Sequence, residues 1–175
     1  AQLVSQVGGQ VVALHPALIA GGFFEAREML VRIDPADYEL AVARVQAELA
    51  QAQAVIIATD ARIVDAQARM DDAQSEFQHL TQLGATGAAS KREVRRADLA
   101  YQTTQAQHDE AHALRKSTAA GRDAAQVALR QARLNLQRTE LTFPFNGCIT
   151  QEDVNVGQYV GAGQGVASAY GTDVM

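Results

Sequence analysis

A single apolar row runs from Tyr38 to Leu80 in alternating steps of four and three residues. Its members are Tyr38, Val42, Val45, Leu49, Ala52, Ile56, Thr59, Ile63, Ala66, Met70, Ala73, Phe77 and Leu80, of which only Thr59 is polar. That spacing lays one seam along one face of a helix for about six heptads. A helix of that length needs a long partner, and few folds supply one.

The partner is legible further along the chain. Asp34 before Pro35 reads as an N-cap with proline at the first helical position. The ascending helix is predicted from residue 35 to about residue 83. Gly84-Ala85-Thr86-Gly87-Ala88-Ala89 then breaks the pattern as a helix stop and tight turn. Ser90 followed by Glu93 is a capping-box pattern that starts a second helix, predicted to run to about Leu141, with Pro144 marking its end. Its seam runs Val94, Ala97, Tyr101, Thr104, His108, Ala111, Arg115, Thr118, Arg122, Ala125, Leu129, Ala132 and Leu136. A second row, Leu99, Ala106, Ala113, Ala120, Val127, Leu134 and Leu141, repeats every seven residues, as on a helix that touches more than one neighbour. Gly121 is a weak point, costing about 1 kcal/mol relative to alanine. Two arms of nearly equal length around one turn predict an antiparallel hairpin, each arm roughly 70–80 Å long at 1.5 Å per residue.

The flanks read differently. Residues 1–34 and 142–175 are strand-like, with Val11, Leu14, Ile19, Phe24, Leu30 and Ile33 as apolar positions of the first. The last block repeats the first. Gly21, Phe24, Arg27 and Leu30 step by three, as do Gly157, Val160, Gly163 and Val166. Gly9 with Val11 and Val12 precedes one set, and Gly147 with Ile149 the other. A hairpin brings its own ends together, so the two half-motifs are predicted to form one small β-sandwich. The division is 1–34, first half; 35–141, hairpin with its tip near 84–90; and 142–175, second half.

Composition removes several function classes. Aromatic residues are 5% of the chain, Trp is absent, and 15 Lys and Arg face 20 Asp and Glu in mixed order. There is no basic stripe and no set of stacking platforms, which argues against nucleic-acid binding. No apolar run approaches the ~20 residues of a membrane helix. The chain begins at Ala1 with no signal-peptide pattern, so any targeting or anchoring segment is expected outside it. Cys148 is the single cysteine and can form no internal disulfide.

The order of parts resembles the periplasmic adaptors, or membrane fusion proteins, of bacterial tripartite efflux pumps (the HlyD and RND adaptor family). In that family a helical hairpin splits a lipoyl-like (biotinyl-lipoyl) β domain, an α+β fold. Three segments carry the likeness: Gly22-Phe23-Phe24-Glu25 through Asp34-Pro35, Leu141-Thr142-Phe143-Pro144-Phe145-Asn146-Gly147, and Val156-Gly157-Gln158-Tyr159-Val160. Asn146 stands where Asp is usual, and Arg27 where Gly is usual. The 175 residues reach only just past Gly171-Thr172-Asp173, about where the resemblance implies that the barrel begins, so the family's β-barrel and membrane-proximal domains are expected to be absent from them.

The resemblance implies a non-enzymatic subunit without cofactor, working in the periplasm and anchored to the inner membrane. Its implied partners are an inner-membrane RND-type transporter, a TolC-like outer-membrane channel and further copies of itself, as a hexamer or trimer of dimers, in drug or metal efflux. In the RND branch the hairpin tip carries an Arg, a Leu four residues on and a Ser seven further. The matching positions here are His79, Leu83 and Ser90, with Gly84 beside them. Gly21, Gly22, Gly157 and Gly163 become the turn glycines of the β domain. Two other readings stand beside this one: an adaptor for an ABC or MFS exporter, as in type I secretion, and a coiled-coil scaffold without a transport role.

Sharper chemistry is weakly supported. A lipoate or biotin carrier needs a lysine on a β-turn, and the only lysines, Lys91 and Lys116, lie in the hairpin. His108 and His112 stand at i and i+4, one face of a helix. They are the one metal candidate, a minor one beside a plain surface or seam pair, because Glu does not follow His108 directly and no third ligand is evident. Arg115 and Arg122, at seam positions, either reach neighbouring subunits or snorkel.

Overall fold

The computed structural model describes residues 1–172. Asp173, part of the run at which the barrel was expected to begin, lies outside the described residues, as do Val174 and Met175 at the end of the predicted second half. Four strands come first: β1 (Gln2–Val4), β2 (Gly9–Leu14), β3 (Phe23–Phe24) and β4 (Met29–Ile33). Two helices follow, α1 (Ala36–Ala85) and α2 (Lys91–Gln137). Four more strands close the chain: β5 (Glu140–Thr142), β6 (Gly147–Glu152), β7 (Tyr159–Val160) and β8 (Gly165–Gly171). Two compact units result, one of residues 1–46 with 127–175 and the other of 47–126.

The first unit holds two four-stranded sheets, ordered β1-β8-β6-β3 and β5-β4-β2-β7. All neighbouring strands are antiparallel. Each sheet takes two strands from each end of the chain. If β1 is exchanged for β5, β2 for β6, β3 for β7 and β4 for β8, one order becomes the other. The repeat extends to single atoms. Gly21 N donates to Ile149 O at 2.8 Å, and Gly157 N to Val11 O at 2.8 Å. Arg27 N donates to Phe143 O and Gly163 N to Ser5 O, both at 2.7 Å. Phe24 and Leu30 are buried, as are their counterparts Val160 and Val166. The core is therefore shared: Leu3, Val11, Leu30 and Ile33 pack with Leu141, Phe143, Ile149 and Val166, and Phe24 stacks on Phe143 at 5.0 Å. Leu18, not Ile19, is the buried residue of the turn after β2.

The repeat is broken at one backbone position. Gly163 has φ +88°, in the left-handed region, and its counterpart Arg27 is held at φ 65°. A side chain there costs roughly 1–2 kcal/mol. The turn keeps its shape because neighbours hold it: Ala26 N donates to Asn146 Oδ1 at 2.7 Å, and Glu25 N to Glu28 Oε2 at 2.9 Å. Glu28 also meets His15 Nε2 at 3.1 Å.

Helix α1 starts as the sequence implies, with Ala36 N donating to Asp34 Oδ1 at 3.0 Å. Its first turns belong to the first unit, where Tyr38 packs against the core and donates to Gly8 O at 2.7 Å. Two helix ends differ from expectation. α1 passes through Gly84 and ends at Ala85. α2 stops at Gln137, well short of Leu141. Leu141 continues the seven-residue row, but burial and pairing with Val31 of β4 place it in β5. Thr139 makes the break: its N and Oγ1 donate to Leu136 O at 3.1 and 2.7 Å, while its own carbonyl accepts Ile33 N at 2.8 Å.

In the second unit the two helices pack as an antiparallel pair. Phe77 stacks on Tyr101 at 6.2 Å, and Arg115 Nε meets Asp60 Oδ1 at 3.0 Å. Arg115 thus pairs across the hairpin with Asp60 while its side chain stays partly exposed. Every member of both four-three seams is buried or half-buried. Thr59, the polar member, is buried because its hydroxyl donates to Val55 O at 2.7 Å. From Leu99 to Leu134 the second row of α2 faces outward.

Candidate functional site

The turn between the helices is assembled from two caps. Ala88 N donates to Leu83 O at 2.8 Å and Gly87 N to Gly84 O at 3.2 Å, with Gly87 at φ +77°. These two bonds form a Schellman motif that closes α1. Ala89 N at 3.3 Å and Thr86 Oγ1 at 2.9 Å also donate to the Leu83 carbonyl. At the start of α2, Ser90 Oγ donates to Glu93 Oε2 at 2.6 Å and accepts Glu93 N at 3.2 Å. Ser90 N donates to Glu93 Oε2 at 2.7 Å. The capping box is complete, and Ser90 holds the Glu93 carboxyl below its ordinary range.

Of the four predicted tip residues, Leu83, Gly84 and Ser90 belong to this one turn. Leu83 and Gly84 are half-buried and Ser90 is exposed. His79 is exposed one helical turn before Leu83. The Ser90 hydroxyl proton is committed to Glu93, so Ser90 meets a partner only as an acceptor. The start of α2 is basic and exposed, with Lys91, Arg92, Arg95 and Arg96.

Beside the turn runs an open groove of about 420 Å³, lined by Phe77, Thr81, Gly84, Val94, Arg95 and Asp98. Sequence reasoning placed Phe77 in the seam and missed the groove. The signal was Gly84, seven residues after Phe77: a side chain there would press on Val94 at 3.1 Å. Gly84 lets α2 approach closely.

The predicted turn glycines lie far from this site in the sequence, in the first unit. Gly21, Gly157 and Gly163 have positive φ. Gly22 serves by its size, since a Cβ would fall 2.1 Å from Ala17 O. His108 and His112 approach each other on α2 with Nε2 atoms 3.0 Å apart. Cys148 is a buried thiol.

The family model described as "RND MFP, barrel-sandwich hybrid domain" matches residues 1–170. The chain belongs to the RND membrane fusion protein family. This adaptor is 32% identical over 167 residues to the efflux pump periplasmic linker BepD of Brucella suis biovar 1 (strain 1330), a match that covers 91% of the chain and 33% of that protein. The adaptor therefore spans about one third of its curated relative. Among solved structures it is similar to MacA from Actinobacillus actinomycetemcomitans, with TM-score 0.59 and 23% identity over 95% of this chain and 47% of that one. It is also similar to the periplasmic adaptor protein EmrA, with TM-score 0.56 and 13% identity over 98% of this chain and 71% of that one. At these identities the two structures speak for the fold alone. Among the described residues no helix of the adaptor is long and apolar enough to cross a membrane.

Proposed function

We propose that this chain is the hairpin and sandwich portion of a periplasmic adaptor in a tripartite efflux pump. It joins an inner-membrane RND-type transporter to a TolC-like outer-membrane channel, and the hairpin tip docks the channel. The family match over residues 1–170 carries the reading. We read the two interleaved half-repeats as a lipoyl-like domain that serves as a structural collar. The outward row of α2, with Leu99, Val127 and Leu134 exposed, supports side-by-side packing with further copies, as six subunits or three dimers.

At the tip, Leu83 offers an apolar contact, Ser90 an acceptor and His79 a donor that strengthens on protonation. A matching channel surface brings a hydrogen-bond donor to Ser90. Because His79 replaces the family's arginine, an ABC or MFS exporter is the second reading for the transporter. The test is a pair of cysteines, Leu83→Cys and Ser90→Cys, crosslinked in cells in which the pump still confers efflux. A crosslink to the outer-membrane channel supports docking, and its absence in a working pump rejects it. Co-purification of the transporter, typed by mass spectrometry, decides between the transporter classes.

A further inference from the structure

His108 and His112 have no part in tip docking. Their Nε2 atoms lie 3.0 Å apart, and their rings meet nearly edge-on with centroids at 4.4 Å and an interplanar angle of 63°. Two imidazole nitrogens bound to one ion at about 2.0–2.1 Å, with roughly 90–109° between the bonds, stand about 2.9–3.3 Å apart. The pair already has that separation. We propose that His108 and His112 form a two-nitrogen chelate for a divalent late transition cation such as Zn²⁺, Ni²⁺ or Cu²⁺.

Three features support this. The first is the state of the ring nitrogens. Asp109 Oδ1 lies 3.4 Å from His108 Nδ1. A proton held on Nδ1 toward that carboxylate leaves the His108 Nε2 lone pair directed at His112. This is the outer-shell arrangement that fixes a ligating imidazole. In the neutral metal-free pair the His112 Nε2 proton points at the His108 Nε2 lone pair. Binding the cation shifts His112 to its Nδ1–H tautomer by exchange with solvent, which frees its Nε2 lone pair with no net proton release.

The second feature is order. His108 is a seam residue whose side chain is only 17% exposed. Packing sets its rotamer, and the helix sets His112 one turn away, so little ordering remains for binding to impose. The third is ligand chemistry. Two imidazoles suit zinc, nickel and copper, whereas magnesium and calcium demand oxygen. No group of three or more His, Cys, Asp or Glu among the described residues gathers to hold an ion. The remaining coordination positions therefore go to water or to a small exchangeable ligand. Such a site binds reversibly and clamps one turn of α2.

The test uses the 175-residue chain with Zn²⁺ alone as probe. Calorimetry is expected to give one saturable site, and ¹⁵N spectra of the histidine rings are expected to shift at Nε2 of His108 and His112. The exposed His112→Ala variant should keep its far-ultraviolet dichroism and lose affinity by roughly tenfold or more, at least the loss seen for an outer-shell partner. Asp109→Asn should weaken binding by a smaller factor, and His15→Ala and His79→Ala should leave it unchanged. Absence of saturable binding, full affinity in His112→Ala, or ring shifts centred on His15 or His79 would each overturn the proposal. Tip docking can fail without affecting any of these readouts.

Discussion

The first unit buries its residues fully, while the second only half-buries them. In the sandwich Leu30, Val31, Ile33, Val160, Val166 and Ala167 have no exposed surface. Within residues 47–126 only Thr59 and Ala97 are classed as buried, and the remaining seam positions are intermediate. A sheet pair excludes water from both inner faces, whereas two helices alone can cover only one narrow stripe of each other. The sandwich thus carries its stability internally, and the hairpin keeps apolar surface available.

The largest test of this contrast is a matched pair of truncations. Ile33→Ala should cost about 2–5 kcal/mol in denaturant unfolding, the range for a fully buried side chain. Ile63→Ala, at a half-buried seam position, should cost less than half as much, and equal costs would break the comparison. Next is the mismatch between the half-repeats. Arg27→Gly should stabilise the sandwich by about 1 kcal/mol, and Gly163→Ala should destabilise it by about 1–2 kcal/mol, because only the second puts a side chain on a left-handed backbone now occupied by glycine. No atom lies within 4 Å of a Cβ at Gly163, so crowding does not enter. A smaller gain is expected in the hairpin. Gly121 is exposed with open space around it, and Gly121→Ala should raise the melting midpoint by the equivalent of about 0.5–1 kcal/mol.

The smallest effect concerns pH. Ser90 lowers the Glu93 pKa from its ordinary 4.5, so the folded state favours the carboxylate. The stabilisation is fully present above pH 4.5 and is lost as pH falls through the lower folded value. Amide exchange at the start of α2 should accelerate over that window, and Ser90→Ala should abolish the dependence.

Periodicity explains what the sequence made readable. The seams repeat at helical spacing, so each of their residues faces inward. The half-repeats were visible because glycine and apolar residues recur at fixed steps, and Arg27 was visible as the misfit. Strand order was not readable, because it depends on which edges meet after the ends return, and a period of two does not encode a partner. Leu141 shows the same limit: its spacing fits a helix, and pairing with Val31 overrode it. At the tip, the Ser90 cap was plain from local chemistry. The groove was not, since it depends on how closely α2 approaches Gly84 at Val94, which no local spacing encodes.

The interleaved sheet order sets the timing of folding. β1 at the start of the chain finds its neighbour only in β8, where Gln2 pairs with Ser168. Neither half owns a complete sheet: β2 can pair early with β4, but β1 and β3 must wait for β8 and β6, until nearly the whole chain has emerged. Local helix formation can go ahead meanwhile, and the hairpin shortens the closure that the strands must then make. The long insertion therefore acts as a folding guide for the domain it interrupts. A chain released before residue 165 would leave β1 and β6 without the strand that joins them.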